Sequence, residues 1–148
     1  MNYKIILRLA ALCSLIVSLF QIVITFVPSW SLYFGAPAEI VSNYPLLIIT
    51  GLIAAVFFII FTLYGFSGSG DIRSLPLLRP GLLVISIIYI LRGLMFIEIL
   101  LIQAGIIQTE DKVPSTALAS SLISLFIGLV YLIGTITGWK KIYIARNT

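Results

Sequence analysis

The sequence predicts an all-α integral membrane protein in which four transmembrane helices form a single domain, residues 1–148. Hydrophobic residues make up 61% of the chain and charged residues only 9%, and the mean hydropathy is +1.20. A chain of this composition cannot cover a water-exposed surface with polar side chains. Its apolar residues fall into four runs, each close to the roughly 20 residues that a helix needs to cross a bilayer.

The first predicted span covers residues 9–27. This apolar run is longer than the core of a secretory signal peptide, which has about 7–15 residues, so we interpret it as a transmembrane helix. Its polar residues are spaced four, three and four apart, which places them on one helical face. We expect that face to contact protein rather than lipid. The residues are Ser14, Ser18, Gln21 and Thr25.

Residues 28–44 are predicted to form an interfacial loop, and they include no Lys or Arg. Within the loop, residues 36–43 favour a short helix with Pro37 near its first turn. The loop is also rich in the large aromatic side chains that gather at membrane surfaces. These are Trp30, Tyr33, Phe34 and Tyr44.

The second predicted span, residues 45–66, is the most uniformly apolar of the four. The loop that follows, residues 67–79, is rich in Gly and Ser. It lacks the Lys-Ser/Thr pair of a phosphate-binding loop, which argues against nucleotide binding. We expect Arg73 and Arg79 to contact lipid phosphates, with Asp71 available as their partner.

The third predicted span, residues 80–103, begins with a proline, which is favoured in the first turn of a helix. The fourth, residues 115–138, carries small and hydroxyl-bearing residues at spacings of four and three. This pattern predicts close packing against a neighbouring helix. The residues are Ser120, Ser124, Gly128, Tyr131 and Thr135.

The basic residues predict the orientation of the bundle. Outside the predicted spans, Lys112 is the only basic residue on one side of the membrane, and all the others are on the opposite side. Because cytoplasmic loops carry an excess of Lys and Arg, both termini are expected to be cytoplasmic, in a bacterial-type inner membrane. The basic residues on that side are Lys4, Arg8, Arg73, Arg79, Lys140, Lys141 and Arg146.

Two charged residues lie inside the third predicted span. Arg92 falls within about one residue of the bilayer centre, and Glu98 lies about 9 Å further along the helix. An arginine at the centre costs about 2.5–3.5 kcal/mol on insertion scales, so it requires polar partners or water. The two side chains are about 120° apart around the helix, which disfavours a direct ion pair between them.

These positions predict a polar cavity inside the bundle, with Arg92 at its floor. Counting depth along each span places most polar groups in the central or periplasmic part of the membrane, so the cavity is expected to open beneath the loop at residues 30–34. The candidate binding residues are Arg92, Glu98, Gln21, Ser18, Thr25, Tyr89 and Ser124.

Two interpretations of this polar cluster remain open. In one, Arg92, Glu98 and Gln21 form an interhelical hydrogen-bond network that fixes helix register or joins two subunits. In the other, Arg92 binds an anionic or polar ligand, because ionisable residues within membranes often mark ligand paths.

Catalysis is the weaker prediction, because the chain has no histidine and one cysteine and shows no nucleophile paired with a base. No catalytic residue, metal or cofactor is predicted. We expect a non-enzymatic accessory or binding protein whose site recognises a lipid head group, an anionic small molecule or a partner helix. The alternative is a small transporter or channel subunit that uses Arg92 and Glu98. The expected partners are membrane lipids, with assembly into a homo-oligomer or a larger membrane complex, and no nucleic acid.

Overall fold

The computed structural model describes residues 2–107 and 115–144. Within them the chain is helical, with no strand. Four helices are long and apolar enough to cross a membrane, which confirms the predicted helical class and indicates a membrane protein. The helices are α1 Tyr3–Thr25, α2 Pro28–Tyr33, α3 Ala38–Ser42, α4 Tyr44–Ser69, α5 Leu78–Gln103 and α6 Ser115–Ile144.

Each long helix extends beyond its predicted span at one end or both, although α1 ends at Thr25, two residues before the predicted end. Helix α1 begins at Tyr3 because the side chain of Asn2 caps it and accepts a hydrogen bond from the backbone nitrogen of Lys4, at 3.2 Å. Helix α4 continues to Ser69 and ends where Gly70 adopts a left-handed conformation with φ of 84°. The apolar run marks the part of a helix that suits hydrocarbon, whereas caps decide where the helix stops.

The predicted interfacial loop contains two short helices. The helix expected over residues 36–43 forms as α3, with Pro37 as its N-cap residue. Helix α2 was not predicted, although Pro28 occupies its first position, where the missing N–H of proline is tolerated.

The long helices pack as two pairs, α1 with α4 and α5 with α6, and glycines mark both contacts. In the first pair, a Cβ on Gly51 would overlap the side chain of Thr25. In the second, a Cβ on Gly93 would lie 2.6 Å from the backbone nitrogen and Cα of Leu125. Small residues allow this close approach between membrane helices.

Gly65 of α4 meets the hydroxyl of Tyr131 on α6 near the centre of the bundle, and the other glycines that bring one pair against the other lie at a single end. This end, where α1 begins, α6 ends and residues 70–77 connect α4 to α5, is called the terminal end below. There Gly134 and Gly138 of α6 meet Leu7 and Tyr3 of α1. Gly68 of α4 likewise meets Leu82 of α5. The two pairs are therefore held together at the terminal end.

An ion pair also joins two elements at the terminal end. Arg8 donates hydrogen bonds from both Nε and Nη2 to the carboxylate of Asp71, the Nε bond being 2.8 Å long. Ser69 Oγ donates a further bond of 2.6 Å to this carboxylate. The charged partner that the structure gives to Asp71 is thus Arg8 on α1, rather than Arg73 of its own loop or Arg79 of α5.

The centre of the bundle is a buried cluster of aromatic and hydroxyl side chains, called the tyrosine cluster below: Ser14, Phe58, Phe61, Tyr89 and Tyr131. The rings of Tyr89 and Tyr131 stack with centroids 6.0 Å apart, and Phe58 stacks on the other side of Tyr89 at 6.0 Å. Ser14 Oγ lies 3.0 Å from the hydroxyl of Tyr89 and 3.2 Å from that of Tyr131. Together these residues connect all four long helices.

Only one assignment of donors and acceptors gives every hydroxyl proton of the tyrosine cluster an acceptor. The hydroxyl of Tyr131 donates to the carbonyl oxygen of Phe61 at 2.8 Å, which uses its only proton. Ser14 must then donate to Tyr131, and Tyr89 must donate to Ser14. This chain ends on a backbone carbonyl and leaves no buried hydroxyl proton without an acceptor.

Candidate binding cavity

A cavity of about 550 Å³ lies between the two helix pairs, at the end of the bundle opposite the terminal end. Its volume is within the usual range for small-molecule sites, about 300–1,000 Å³. Most of its wall is apolar and comes from α1, α4, α6 and the loop between α1 and α4. A few polar side chains share the lining: Gln21, Ser31, Thr50, Arg92, Thr116, Ser120 and Ser124.

The cavity is covered by residues 34–37, which we call the roof. Ser31, which precedes the roof, is buried and donates a hydrogen bond of 2.6 Å to the carbonyl oxygen of Ile24 on α1. On the other side, Thr116 of α6 donates a hydrogen bond to the carbonyl oxygen of Tyr33. Both neighbouring helices therefore hold α2, the helix that leads into the roof, and the roof lies over this end of the cavity. The sequence predicted a cavity that opens beneath residues 30–34, and the cavity here is lined by Ser31 and residues 34–37 of this region.

The tyrosine cluster closes the cavity toward the terminal end. Phe58 belongs to the cavity wall and also stacks on Tyr89, so the aromatic layer begins where the cavity stops. Tyr89 and Tyr131 are only 2% and 0% exposed. The cavity is therefore a pocket in one half of the bundle and does not continue through the helices to the other end.

Arg92 is the one residue of α5 that lines the cavity. At 100° per residue it lies within about 60° of Tyr89 and about 20° of Ile85 and Ile99, and these three residues are buried. Arg92 nevertheless remains exposed. It therefore lies near the inward face of α5 and lines the cavity.

The guanidinium of Arg92 makes no hydrogen bond or ion pair with another residue in the described part of the chain. The half-buried amide of Gln21 on α1, which also faces the cavity, has no side-chain hydrogen bond there either. A guanidinium offers five N–H donors in a planar fork, and an amide adds two donors and an acceptor. These two side chains thus present hydrogen-bonding groups to the cavity that its walls leave unused.

Apart from those of Ser31 and Thr116, the hydroxyl groups of the wall are bonded to their own helices. Ser124 Oγ donates to the carbonyl oxygen of Ser120 at 2.9 Å, and Thr50 Oγ1 donates to that of Leu46 at 2.8 Å. Since each hydroxyl has one proton, what remains toward the cavity is acceptor capacity. The donors that could hold an anion are therefore on Arg92 and Gln21.

The structure brings Arg92, Gln21 and Ser124 of the predicted site together and places three others elsewhere. Ser18 is buried against α4, where it donates a hydrogen bond of 3.1 Å to the carbonyl oxygen of Ala55. Thr25 is buried beside Gly51 and donates to the carbonyl oxygen of Gln21 at 2.7 Å. Tyr89 lies beneath the cavity, in the tyrosine cluster.

Glu98 does not line the cavity. It is exposed and shares the outward face of α5 with Leu91, Leu94 and Met95, which are also exposed. It lies about 120° from Arg92 around the helix, and no ion pair joins the two residues. The network of Arg92, Glu98 and Gln21 considered from the sequence is thus absent from the described residues.

Four polar lining residues were not among the candidates: Ser31, Thr50, Thr116 and Ser120. Two of them, Ser31 and Thr116, join elements, because Ser31 ties α2 to α1 and Thr116 ties α6 to α2. One signal was available, since each of these two residues lies close to the end of a span, next to the aromatic loop or to α6's first turn. A position near the end of a span does not predict the hydrogen-bond partner of the hydroxyl group.

The arrangement has the features of a ligand-binding site. An arginine and an amide converge on an otherwise apolar space, which is the pattern of a site that orients a ligand through a few polar contacts. Among the described residues, no group of three or more His, Cys, Asp or Glu side chains could hold a metal ion. The chain matches no family model, no curated protein and no solved structure.

Proposed function

We propose that this protein is a non-enzymatic membrane protein that binds an anionic group, such as a lipid head group or the carboxylate of a small amphiphile, in the cavity beside Arg92. The observation that carries the proposal is the placement of Arg92 on the cavity wall without an acidic partner among the described residues. Gln21 supplies a second donor from the opposite helix pair.

The energetics favour an anionic occupant. A guanidinium within the hydrocarbon region requires compensation of several kcal/mol, from water or from a counter-charge. Its planar fork matches the oxygens of a carboxylate or a phosphate, to which it can donate two parallel hydrogen bonds. An anionic head group placed beside Arg92 would supply that counter-charge, while the apolar wall would surround the rest of the ligand.

The same proposal includes a location and an orientation. Both described ends of the chain lie at the terminal end, as the contact between Gly138 and Tyr3 requires. The basic residues cluster there, which supports a cytoplasmic terminal end in a bacterial-type inner membrane. The cavity then lies in the periplasmic half of the bilayer.

Two features weigh against the alternative of a transporter or channel subunit. That function was expected to use Arg92 and Glu98 in one cavity, but Glu98 lies on the outward face of α5. A permeation path would also have to pass the tyrosine cluster, whose residues Tyr89 and Tyr131 are buried and hydrogen-bonded. A binding site closed at one end agrees better with both features.

The test is native mass spectrometry of the full chain, released from phosphatidylcholine nanodiscs that contain phosphatidylglycerol. The natural protein should retain phosphatidylglycerol, and Arg92→Gln should lose it. A charge-assisted hydrogen bond contributes about 1.5–3 kcal/mol, so the substitution should weaken binding by about 10- to 100-fold.

Arg73→Gln is the matched control, because it removes the same charge from an exposed loop position outside the cavity. This variant should retain phosphatidylglycerol as the natural protein does. Equal retention by Arg92→Gln would refute the proposal. Equal loss from Arg73→Gln would show that the lipid is held by the basic surface instead.

A further inference from the structure

Helices α1 and α6 separate along the side of the cavity. At the terminal end they touch: a Cβ on Gly134 of α6 would lie 2.8 Å from Leu7 Cδ2 of α1. Toward the opposite end both helices instead line the cavity, α1 with Ile16 and Phe20 and α6 with Ala119 and Ile123. These four residues form the two edges of a gap, called the α1/α6 opening below.

The edges of the α1/α6 opening also lie on exposed faces of their helices. Ile16 is 66% exposed, Phe20 41% and Ile123 54%, and Ala119 is exposed too. Ile16 shares its face of α1 with Leu12 and Leu19, and Ile123 shares its face of α6 with Phe126; these three neighbours are exposed and do not line the cavity. The cavity therefore reaches the outer surface of the bundle at the edge residues. All four edge residues are apolar, and they lie within the helical segments suited to a membrane span.

The chemistry of the edges decides what can pass. A free anion that crossed an apolar edge within the hydrocarbon region would lose its hydration shell without any replacement hydrogen bonds. An acyl chain has no such desolvation cost when it crosses the edge, because the edge is as apolar as the surrounding lipid. The direct route from water passes the roof, which follows Ser31 and Tyr33, the residues of α2 that are hydrogen-bonded to α1 and α6.

We infer that the ligand of the cavity is a membrane lipid that enters sideways from the bilayer, with its anionic head beside Arg92 and an acyl chain leaving through the α1/α6 opening. This inference rests on the proposed function and narrows it, because it assigns the anion to a lipid rather than to a water-soluble molecule.

The experiment uses the full chain in phosphatidylcholine nanodiscs with lysophosphatidylglycerol that carries a diazirine midway along its acyl chain. After irradiation, the labelled residues are mapped by mass spectrometry. Label at Ile16, Phe20, Ala119 and Ile123 should be lost in Arg92→Gln. Label at Phe57, which lies exposed on α4 outside the cavity, should stay the same in both proteins because it reports ordinary contact with lipid.

A second variant tests the opening itself. Ala119→Phe fills one edge, and it should reduce retention of the probe in native mass spectrometry. Leu129→Phe is the matched control, since Leu129 is exposed on α6 but does not line the cavity. The label map of the unaltered protein provides an independent result if Ala119→Phe fails to fold.

The outcomes separate the two proposals. If retention depends on Arg92 but the label avoids the α1/α6 opening, or if glycerophosphoglycerol competes as well as the lysolipid, lateral entry is overturned and the anion site stands. If retention of the lysolipid does not depend on Arg92, both proposals fall. Label at the opening that depends on Arg92, together with weak competition by the free head group, supports both.

Discussion

Replacement of Ser14 by alanine should destabilise the bundle through the orphaned hydroxyl of Tyr89. Ser14 is the middle member of the hydrogen-bond chain in the tyrosine cluster, with partners at 3.0 and 3.2 Å. Without Ser14, Tyr131 still donates to the carbonyl oxygen of Phe61, but the buried proton of Tyr89 has no acceptor.

The magnitude follows from the kind of bond that is lost. A buried donor left unsatisfied costs about 1–3 kcal/mol, and interhelical hydrogen bonds in membrane proteins average about 0.6 kcal/mol. We therefore expect Ser14→Ala to lower the free energy of unfolding by about 1–2 kcal/mol. Tyr89→Phe should cost less, because Ser14 can still donate to Tyr131.

The decisive measurement is the double variant. Adding Tyr89→Phe to Ser14→Ala removes the orphaned proton, so the double variant should be at least as stable as Ser14→Ala alone. The assay is equilibrium unfolding in mixed micelles of mild detergent and dodecyl sulfate, followed by circular dichroism. Ser86→Ala is the matched control, because Ser86 is equally buried but donates only within its own helix, to the carbonyl oxygen of Leu82.

Two results would refute the assignment of the hydrogen-bond chain. One is a Ser14→Ala protein with unchanged stability. The other is a double variant whose loss equals the sum of the two single losses, because independent sites add and residues of one network do not.

Three further predictions concern other parts of the bundle. Gly93→Ala should lower the free energy of unfolding by about 1–3 kcal/mol in the same unfolding assay, because its Cβ would overlap backbone atoms of Leu125 that cannot move aside; unchanged stability would contradict the α5–α6 contact. Hydrogen bonds from Arg8, and then from Ser69, lower the pKa of Asp71 from 3.8 to about 2, so its stabilising contribution is complete above pH 3.8 and is lost as the pH falls through about 2. The natural protein and Asp71→Asn should therefore become closer in free energy of unfolding as the pH falls from 3.8 to about 2. A difference that does not change with pH would count against the ion pair of Arg8 with Asp71. In delipidated protein, Arg92→Gln should not lower the thermal unfolding temperature, since Arg92 has no protein partner in the described residues, whereas a clear decrease would favour a structural role.

Much of the fold could be read from the sequence. Four apolar runs, each long enough for a bilayer, specify four helices. The spacing of polar residues specified the inward faces as well: Ser14, Ser18 and Thr25 of α1 are buried, as predicted, and so are Ser124, Tyr131 and Thr135 of α6. Helical periodicity fixes these faces because it depends only on the local backbone.

The candidate site was predictable only in part. Arg92 stood out because a charge in an apolar run is costly wherever the helix packs, and Gln21 and Ser124 joined it by depth. Depth also suggested Ser18, Thr25 and Glu98, yet the structure places Ser18 and Thr25 against α4 and turns Glu98 outward. Residues at the same depth in a membrane can lie on different faces of their helices, so depth alone does not show that they line the same cavity.

The sequence by itself determined the four long helices, their lengths to within two turns, and the inward faces of α1 and α6. Only the tertiary structure decided which faces meet and where they part. Gly134 and Gly138 join the helix pairs at the terminal end, whereas Gly51 and Gly93 tighten contacts within each pair. The pairs therefore diverge beyond the tyrosine cluster and leave the cavity between them. Close approach requires a glycine to contact a residue of the other pair, and the local periodicity of the sequence does not predict which residue that is.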